Sequence, residues 1–369
     1  MKIFYDHQVF SLQNAGGAAR YYFELIKHLQ LQLDRRIVVA LGLNHSVYSF
    51  PDLRSENTFV FSRRTNLSPG VLRYSLNEAL VSASAISHGK FDIYHPTLYR
   101  AMPLVSRRRM VVTHHDCSHE RFPEMFRNTR KVIQAKRKLY AEADAIISVS
   151  EFSKQELISY YDLDPGKIFT VYHGFEPFAL DSSKSDQGSG PIRPYLLFVG
   201  FRRTYKNFDF LLESYAESKL LNHYDLVTVG GGEFSSDELK EIKRLGLDGK
   251  VQNLQDVSEV HLAALYRKAA LFVYPSLSEG FGFPPLEAMS QGCPVLASQS
   301  SCIPEICGDA AFYFDPTDRS DCIRNLEHAL ASDSSRSIMR ERGFQQVKKY
   351  KWDETANATY EVYRGVCQA

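Results

Sequence analysis

Two carboxylates eight positions apart, Glu279 and Glu287, mark the stretch Ser276-Leu-Ser-Glu-Gly-Phe-Gly-Phe-Pro-Pro-Leu-Glu-Ala-Met289. An apolar, β-prone run, Leu271–Tyr274, precedes it and a helix-forming run follows its prolines, so the whole reads as strand, glycine loop, helix. Proline suits a helix's first turn, where its missing N–H is not needed. The small residues around Gly280, Phe281, Gly282 and Phe283 let a ligand approach the backbone. Free N–H groups and the helix dipole then favour an anion such as phosphate. Glu279 in the loop and Glu287 in the first helical turn are acceptors for hydroxyls around that anion. A nucleotide sugar offers phosphates between two sets of hydroxyls. Taken singly, an acid in a first turn often serves only the dipole. A hydrolase pair fits less well, because glycosidase carboxylates sit roughly 5–9 Å apart and eight helical positions span about 12 Å.

Three further stretches put polar groups at strand ends. In Tyr195–Asn207 a strand runs into Gly200 and then a cationic loop. Arg202 or Arg203, with Lys206, would bracket a diphosphate, arginine by planar two-point contacts and lysine as a point charge. Neutralising a leaving diphosphate is the main electrostatic task of glycosyl transfer without a metal; a solvated basic loop is the plain alternative. In Val111-Val-Thr-His-His-Asp116 the two histidines point to opposite faces while the chain stays extended. His115 would hydrogen-bond a sugar and Asp116 would orient it. Neighbouring histidines on a strand rarely chelate one ion, so no metal is expected. Gly16 and Gly17 follow the first strand and open a helix, where they either bring N–H groups to a phosphate or make a tight turn. The chain has no Gly-x-Gly-x-x-Gly, which argues against a dinucleotide oxidoreductase.

The elements that must carry these residues alternate. Lys2–Tyr5, Ile37–Leu41, Phe91–His95, Met110–Thr113, Ala145–Ser148 and Phe169–Tyr172 read as strands, with helices at Phe23–Leu33, Val71–Ser84, Arg130–Ala143 and Ser153–Tyr160 between them. A breaker-rich segment follows, then strands at Tyr195–Val199, Asp225–Val229, Val251–Leu254, Leu271–Tyr274, Val295–Ala297 and Ala311–Phe314. This predicts an α/β protein with two parallel-sheet domains, 1–180 and 195–352, a linker at 181–194, and a ligand cleft between the domains at the strand ends. A chain of 369 residues exceeds one ordinary hydrophobic core, in keeping with two domains.

Charge and cysteine usage narrow the class. Residues 1–180 hold 23 basic against 17 acidic side chains, and residues 181–369 hold 21 against 26. The basic surplus gathers in 100–140, which has 11 basic and three acidic side chains. This segment is either a solvated face or a patch for anionic lipid headgroups or a phosphate-bearing acceptor. No nucleic-acid-binding motif accompanies it, so nucleic acid is not an expected partner. The six cysteines contain no Cys-x-x-Cys and read as free thiols of a cytosolic protein. No signal-peptide core and no apolar run of membrane-spanning length is present.

Together the motifs resemble the family 4 retaining glycosyltransferases of the GT-B fold. The likeness covers nearly the whole chain and is strongest over residues 195–318. It implies that Glu279 contacts the donor sugar, that Glu287 holds the nucleotide ribose, and that the backbone of Phe281-Gly282-Phe283 lies along the sugar and diphosphate. Gly200, Arg202 (preferred by position to Arg203) and Lys206 match the family's diphosphate loop, Gly16-Gly17 its glycine loop, and His115-Asp116 its His-Asp pair. Phe201 stands where many members have arginine, and His114 replaces a commonly apolar residue. The resemblance further implies two Rossmann-like domains facing a central cleft, with a last helix, about 353–369, returning to the N-terminal domain. It implies a metal-independent, cofactor-free front-face transfer from a nucleotide-diphosphate sugar, GDP-mannose ahead of UDP- and dTDP-sugars. The acceptor would be a glycan or lipid-linked glycan such as an O-antigen, and the enzyme cytoplasmic, on the inner face of the cell membrane. Competing readings are a sugar phosphorylase or nucleotide-sugar hydrolase on the same fold, or a non-enzymatic sugar-binding protein.

Overall fold

Every strand pairing among the described residues is parallel. Parallel neighbours need a crossover connection, and the amphipathic runs between the apolar ones supply it. The computed structural model describes residues 1–13, 16–30, 36–44, 46–48, 58–64, 70–87, 90–99, 109–178, 191, 193–202 and 204–369. It divides into two units, Met1–Gly174 with Lys351–Ala369, and Phe175–Tyr350. The segment 181–194 expected as a linker lies mostly outside the described residues.

The first unit contains β1 (Lys2–Tyr5), β2 (Arg36–Asn44), β3 (Thr58–Arg64), β4 (Ile93–His95), β5 (Arg109–His114), β6 (Ala145–Ser148) and β7 (Ile168–Thr170), in the order β3-β2-β1-β4-β5-β6-β7. Its core joins Phe4 and Tyr94 from the sheet to Leu139, Tyr140 and Leu157 from the helices Thr129–Glu142 and Glu151–Tyr161. The strand β3 is an addition to the sequence-based expectation. The last helix, Trp352–Gln368, belongs to this unit. Its buried residues Trp352, Thr355, Ala356, Thr359, Val362 and Tyr363 recur at helical spacing on one face. A Cβ on Gly174 would meet the Trp352 backbone at 2.4 Å, so only glycine lets the helix start there.

The second unit contains β8 (Tyr195–Val199), β9 (Asp225–Val229), β10 (Val251–Leu254), β11 (Leu271–Tyr274), β12 (Val295–Ser298) and β13 (Phe312–Phe314), in the order β10-β9-β8-β11-β12-β13. Leu196, Phe198, Val273 and Leu296 from the sheet pack against Phe208, Leu211, Leu212 and Tyr215 of the helix Phe208–Glu217. Each fully buried side chain of this size contributes about 1.5–3 kcal/mol. In both units the strand order reverses beside the first strand, between β1 and β4 and between β8 and β11. Such a reversal opens a crevice outside the carboxyl ends of the strands, where α/β sheets bind ligands.

Candidate active site

In the second unit the loops after β8 and β11 flank the reversal and are tied together. The Leu277 amide donates to the Tyr205 carbonyl at 2.7 Å. Lys206 donates to Glu279 Oε1 at 2.6 Å, so two of the expected site residues form an ion pair at the crevice. The Lys206 ammonium also lies 5.1 Å and 5.7 Å from the ring centres of Tyr205 and Tyr274. Burial and the Glu279 carboxylate beside it push the Tyr274 phenol well above its ordinary range. Asn207, with φ +60, turns the chain from this loop into the next helix, and its side-chain amide donates to the Pro316 carbonyl.

Glu287 differs from its expectation in one respect. The helix Phe283–Ser290 begins at Phe283, which makes Glu287 the fifth helical residue, past the first turn. A carboxylate there does not serve the exposed N–H groups, so the dipole does not explain it. It is buried and accepts a 3.2 Å hydrogen bond from the Tyr266 hydroxyl. Gly282, with φ +91, forms the bend before this helix, and Pro284 and Pro285 follow at its start. Phe281 is buried, with its ring edge-on to Tyr350 at 5.4 Å, so its side chain serves the core. Gly280 is also buried in this loop.

Arg202 does not serve as the free diphosphate cation expected of it. Its side chain is 1% exposed, and its Nε donates to Glu238 Oε1 at 2.9 Å. Nη1 donates to the Gly230 carbonyl and to Asn253 Oδ1, and Nη2 to the carbonyls of Gly232 and Glu233. All five guanidinium N–H donors are thereby used. Burial alone would raise the Glu238 carboxyl, yet the Ser235 amide and hydroxyl and Arg202 hold it below its usual value. Gly230, Gly231 and Gly232 all have positive φ, and a Cβ on Gly231 would touch Arg202 at 3.0 Å. Arg202 is therefore the strut of a triple-glycine turn after β9, reached just past Gly200 (φ +142). Arg203 lies outside the described residues.

In the first unit the helix Gly17–Gln30 opens at Gly17, and the Gly16 carbonyl accepts its first-turn hydrogen bond from Arg20 at 2.9 Å. One turn on, Tyr21 and Tyr22 place their rings 5.4 Å and 5.9 Å from His115, so this helix and the end of β5 meet as one site. His115 Nε2 is buried with no hydrogen-bond partner among the described residues. Burial and nearby Lys136, only partly offset by Asp116, push the ring down to about 4, leaving it neutral near pH 7. His114 takes the opposite face, as alternation requires. It is buried, with Nδ1 at 2.7 Å from the Tyr140 hydroxyl and Nε2 at 3.4 Å from Cys117 Sγ. This gives His114 a core role.

Asp116 is fixed by its surroundings. Its Oδ1 accepts from the Ser118 amide at 2.9 Å, and its carbonyl accepts from Lys136 at 2.8 Å. Lys136 is fully buried and paired with Glu120 at 3.1 Å, while Glu120 also accepts from the Tyr161 hydroxyl. Lys136 therefore leaves the basic surface expected over 100–140, because its charge is neutralised inside the fold. Arg127, Arg130, Lys131, Arg137 and Lys138 are exposed, while Arg100, Arg107 and Arg108 lie outside the described residues.

Two further histidines, neither given a role from the sequence, lie near His115. His173 stacks on Tyr21 at 4.5 Å and lies 5.9 Å from His115. His95, at the end of β4, pairs with Tyr363 at 2.5 Å and with Thr113 at 2.9 Å. Their signal is position: each histidine stands at or just beyond the end of a parallel strand.

Comparison with known proteins bears on the family and the fold. The family model for glycosyltransferase family 4 matches residues 15–177, and that for group 1 glycosyl transferases matches residues 181–346. The chain is 29% identical to the O-antigen chain mannosyltransferase B of Escherichia coli, over 94% of this chain and 96% of that protein. It is 26% identical to a D-inositol 3-phosphate glycosyltransferase of Nocardioides, over 95% and 85%. It spans only 31% of the length of the serotype-specific mannosyltransferase WbdA of Escherichia coli, at 29% identity. Among solved structures, a sucrose-phosphate synthase from Thermosynechococcus elongatus aligns with a TM-score of 0.77 at 16% identity, over 99% of this chain and 98% of that one. WaaG, a glycosyltransferase involved in lipopolysaccharide biosynthesis, aligns with a TM-score of 0.71 at 15% identity, over 99% and 100%. Family models over both units, strand-end sites and this fold together identify the chain as a glycosyltransferase of family 4, with the GT-B fold.

Proposed function

We propose that this glycosyltransferase moves a hexose, with retention, from a nucleotide-diphosphate sugar to a glycan or lipid-linked glycan acceptor. The Lys206–Glu279 pair at the strand-order reversal carries the reading. In this scheme Lys206 turns one N–H to Glu279 and others to the diphosphate, since an ammonium has three donors. Glu279 accepts from the donor sugar and Glu287 from the ribose. The backbone at Gly280–Phe283, opened by Gly282, lies along the anion. His115, neutral and with Nε2 unpartnered among the described residues, takes a sugar hydroxyl, and Asp116 keeps it in place.

No side chain is cast as a nucleophile. The departing phosphate accepts the acceptor's proton, and the protein contributes position and charge stabilisation. The reaction is proposed to need no metal and no cofactor. The donor proposed is GDP-mannose; the name of mannosyltransferase B of Escherichia coli supports mannose as the sugar, while HepE of Anabaena, whose structure holds UDP-glucose, keeps UDP-sugars as the second choice. We further propose a cytoplasmic enzyme that rests on an anionic membrane through the exposed arginines and lysines of 109–138. No helix among the described residues is long and apolar enough to cross a membrane.

The test is a thermal-shift screen with GDP, UDP, dTDP and ADP, followed by calorimetry with the matching sugar nucleotides. Stabilisation by one nucleoside diphosphate that disappears in Glu287→Ala supports the reading. Equal affinity in wild type and Glu287→Ala removes Glu287 from the donor site. Binding to anionic vesicles that fades with salt supports the membrane contact, and absence of binding refutes it.

A further inference from the structure

Glu279 sits in a loop whose own sequence does not hold it. Gly280 and Gly282 follow it, and glycines leave a backbone loose. What holds the loop is a run of three consecutive side chains after β12. Ser300 Oγ donates to the Leu277 carbonyl at 2.9 Å. Ser301 Oγ accepts from the Glu279 amide at 3.0 Å. Cys302 Sγ shares its one S–H between the carbonyls of Glu279 at 3.1 Å and of Phe281 at 3.4 Å. Both peptide groups of Glu279 are thus gripped by two neighbouring side chains of another loop. A further tie, the Leu277 amide donating to the Tyr205 carbonyl, joins the same segment to the loop of Lys206.

Two details mark this run as more than packing. Ser301 has φ +58, a left-handed backbone that a non-glycine residue adopts at a cost and keeps only where its surroundings enforce it. That conformation presents its hydroxyl to Glu279. Cys302 is fully buried, and the loss of water together with the Glu279 and Glu305 carboxylates pushes its thiol well above the ordinary range. It therefore stays protonated and remains a donor.

We propose that Ser300, Ser301 and Cys302 are positioning residues for sugar transfer, clamping the 277–281 backbone so that the Glu279 carboxylate meets Lys206 and the donor sugar together. This rests on the reading of Lys206 and Glu279 as the donor site. A shift of about 1 Å in a positioned group costs on the order of 10²-fold in rate, so the clamp acts on the sugar step.

Ser301→Gly separates position from stability. Glycine suits φ +58, so the variant folds with an equal or higher Tm, yet it lacks the hydroxyl. The probes are GDP-mannose, UDP-glucose and dTDP-glucose, whichever binds the wild type, with its bare nucleoside diphosphate. The readouts are calorimetric affinity and release of the nucleoside diphosphate from the sugar nucleotide. Ser301→Gly and Cys302→Ala are expected to bind the bare diphosphate within about twofold of wild type. They are expected to lose roughly tenfold or more in sugar-nucleotide affinity or release rate. Cys302→Ser, which keeps a donor, and Ser301→Asn, which keeps an acceptor in a residue tolerant of this backbone, recover most of the loss. Wild-type values in both Ser301→Gly and Cys302→Ala overturn the clamp alone. If no sugar nucleotide binds the wild type, or Lys206→Ala binds and releases normally, the donor-site reading falls and the clamp falls with it.

Discussion

Replacing Arg202 by alanine removes five N–H donors from one buried spot. Glu238 keeps its carboxylate with a side chain only 9% exposed and no cation beside it. The carbonyls of Gly230, Gly232 and Glu233 lose their guanidinium partner at the same time. Breaking a buried ion pair by removing one partner costs about 3–5 kcal/mol. For a unit the size of Phe175–Tyr350, each kcal/mol corresponds to about 2–4 °C. Arg202→Ala should therefore lower Tm by roughly 6–20 °C, where removal of an exposed loop cation stays within about 0.5 kcal/mol. Adding Glu238→Gln should recover part of the loss, because the stranded charge is gone. Thermal unfolding followed by circular dichroism gives the Tm values, and calorimetry gives affinities for a nucleoside diphosphate and its monophosphate. The strut predicts a large fall in Tm with the diphosphate-to-monophosphate affinity ratio unchanged. A Tm within a degree or two of wild type, with selective loss of diphosphate binding, would falsify the strut and return Arg202 to the phosphate.

Other outcomes follow from the same geometry. Lys206→Ala should reduce turnover by roughly 10²-fold or more, as loss of a preorganised electrostatic group does, and an unchanged rate sinks its diphosphate role. Glu279→Gln frees Lys206 from its carboxylate, so bare nucleoside diphosphate should bind as well as to wild type or up to about tenfold tighter while sugar transfer is lost; parallel weakening of both ligands contradicts this. Four of the buried or half-buried histidines, His95 (about 3), His114, His115 (about 4) and His173, have values well below the ordinary one, with burial as the main cause. Unfolded histidine titrates near 6.5, so unfolding takes up protons below that pH, and stability should fall between about pH 6.5 and 4 by about 1.4 kcal/mol per pH unit for each ring. Flat stability over that window refutes their neutrality. Cys117, Cys293, Cys302, Cys307 and Cys322 are buried and Cys367 is half-buried, so a thiol reagent should label Cys367 first and the rest on unfolding; fast labelling of Cys302 contradicts its burial.

How much of this was legible in the sequence depended on how far away the deciding partner lay. The β8 and β11 strands and the polar groups at their ends could be read directly, because an apolar run and the breaker after it are neighbours in the chain. The pairing of Lys206 with Glu279 follows once both loops are assigned to one end of one sheet, although 73 residues separate them. Arg202 was misassigned for a corresponding reason. Its partner Glu238 lies 36 residues on, in the first turn of another helix, where its spacing from Ser235 signals only a cap. Lys136 reads as surface charge until Glu120 and the Asp116 carbonyl are seen around it. The strand β3 was missed because Thr58–Arg64 ends in two arginines and has no apolar alternation beyond Phe59–Phe61.

These cases share one physical cause, and it bears on how the donor's charge is met. A cation beside a glycine turn can neutralise either a ligand or the carbonyls of the turn itself, and sequence composition is the same for both. The structure separates them by counting donors. Arg202 has none left, whereas Lys206 spends one of three on Glu279 and projects from the loop facing the β8–β11 reversal. In the proposed function, the described groups that meet the negative charge of a departing diphosphate are Lys206 and the N–H groups at the start of the helix Phe283–Ser290. In that reading the placement of each charge matters more than the number of charges. That is why the Glu279 backbone, which sets where Lys206 points, is held from both sides.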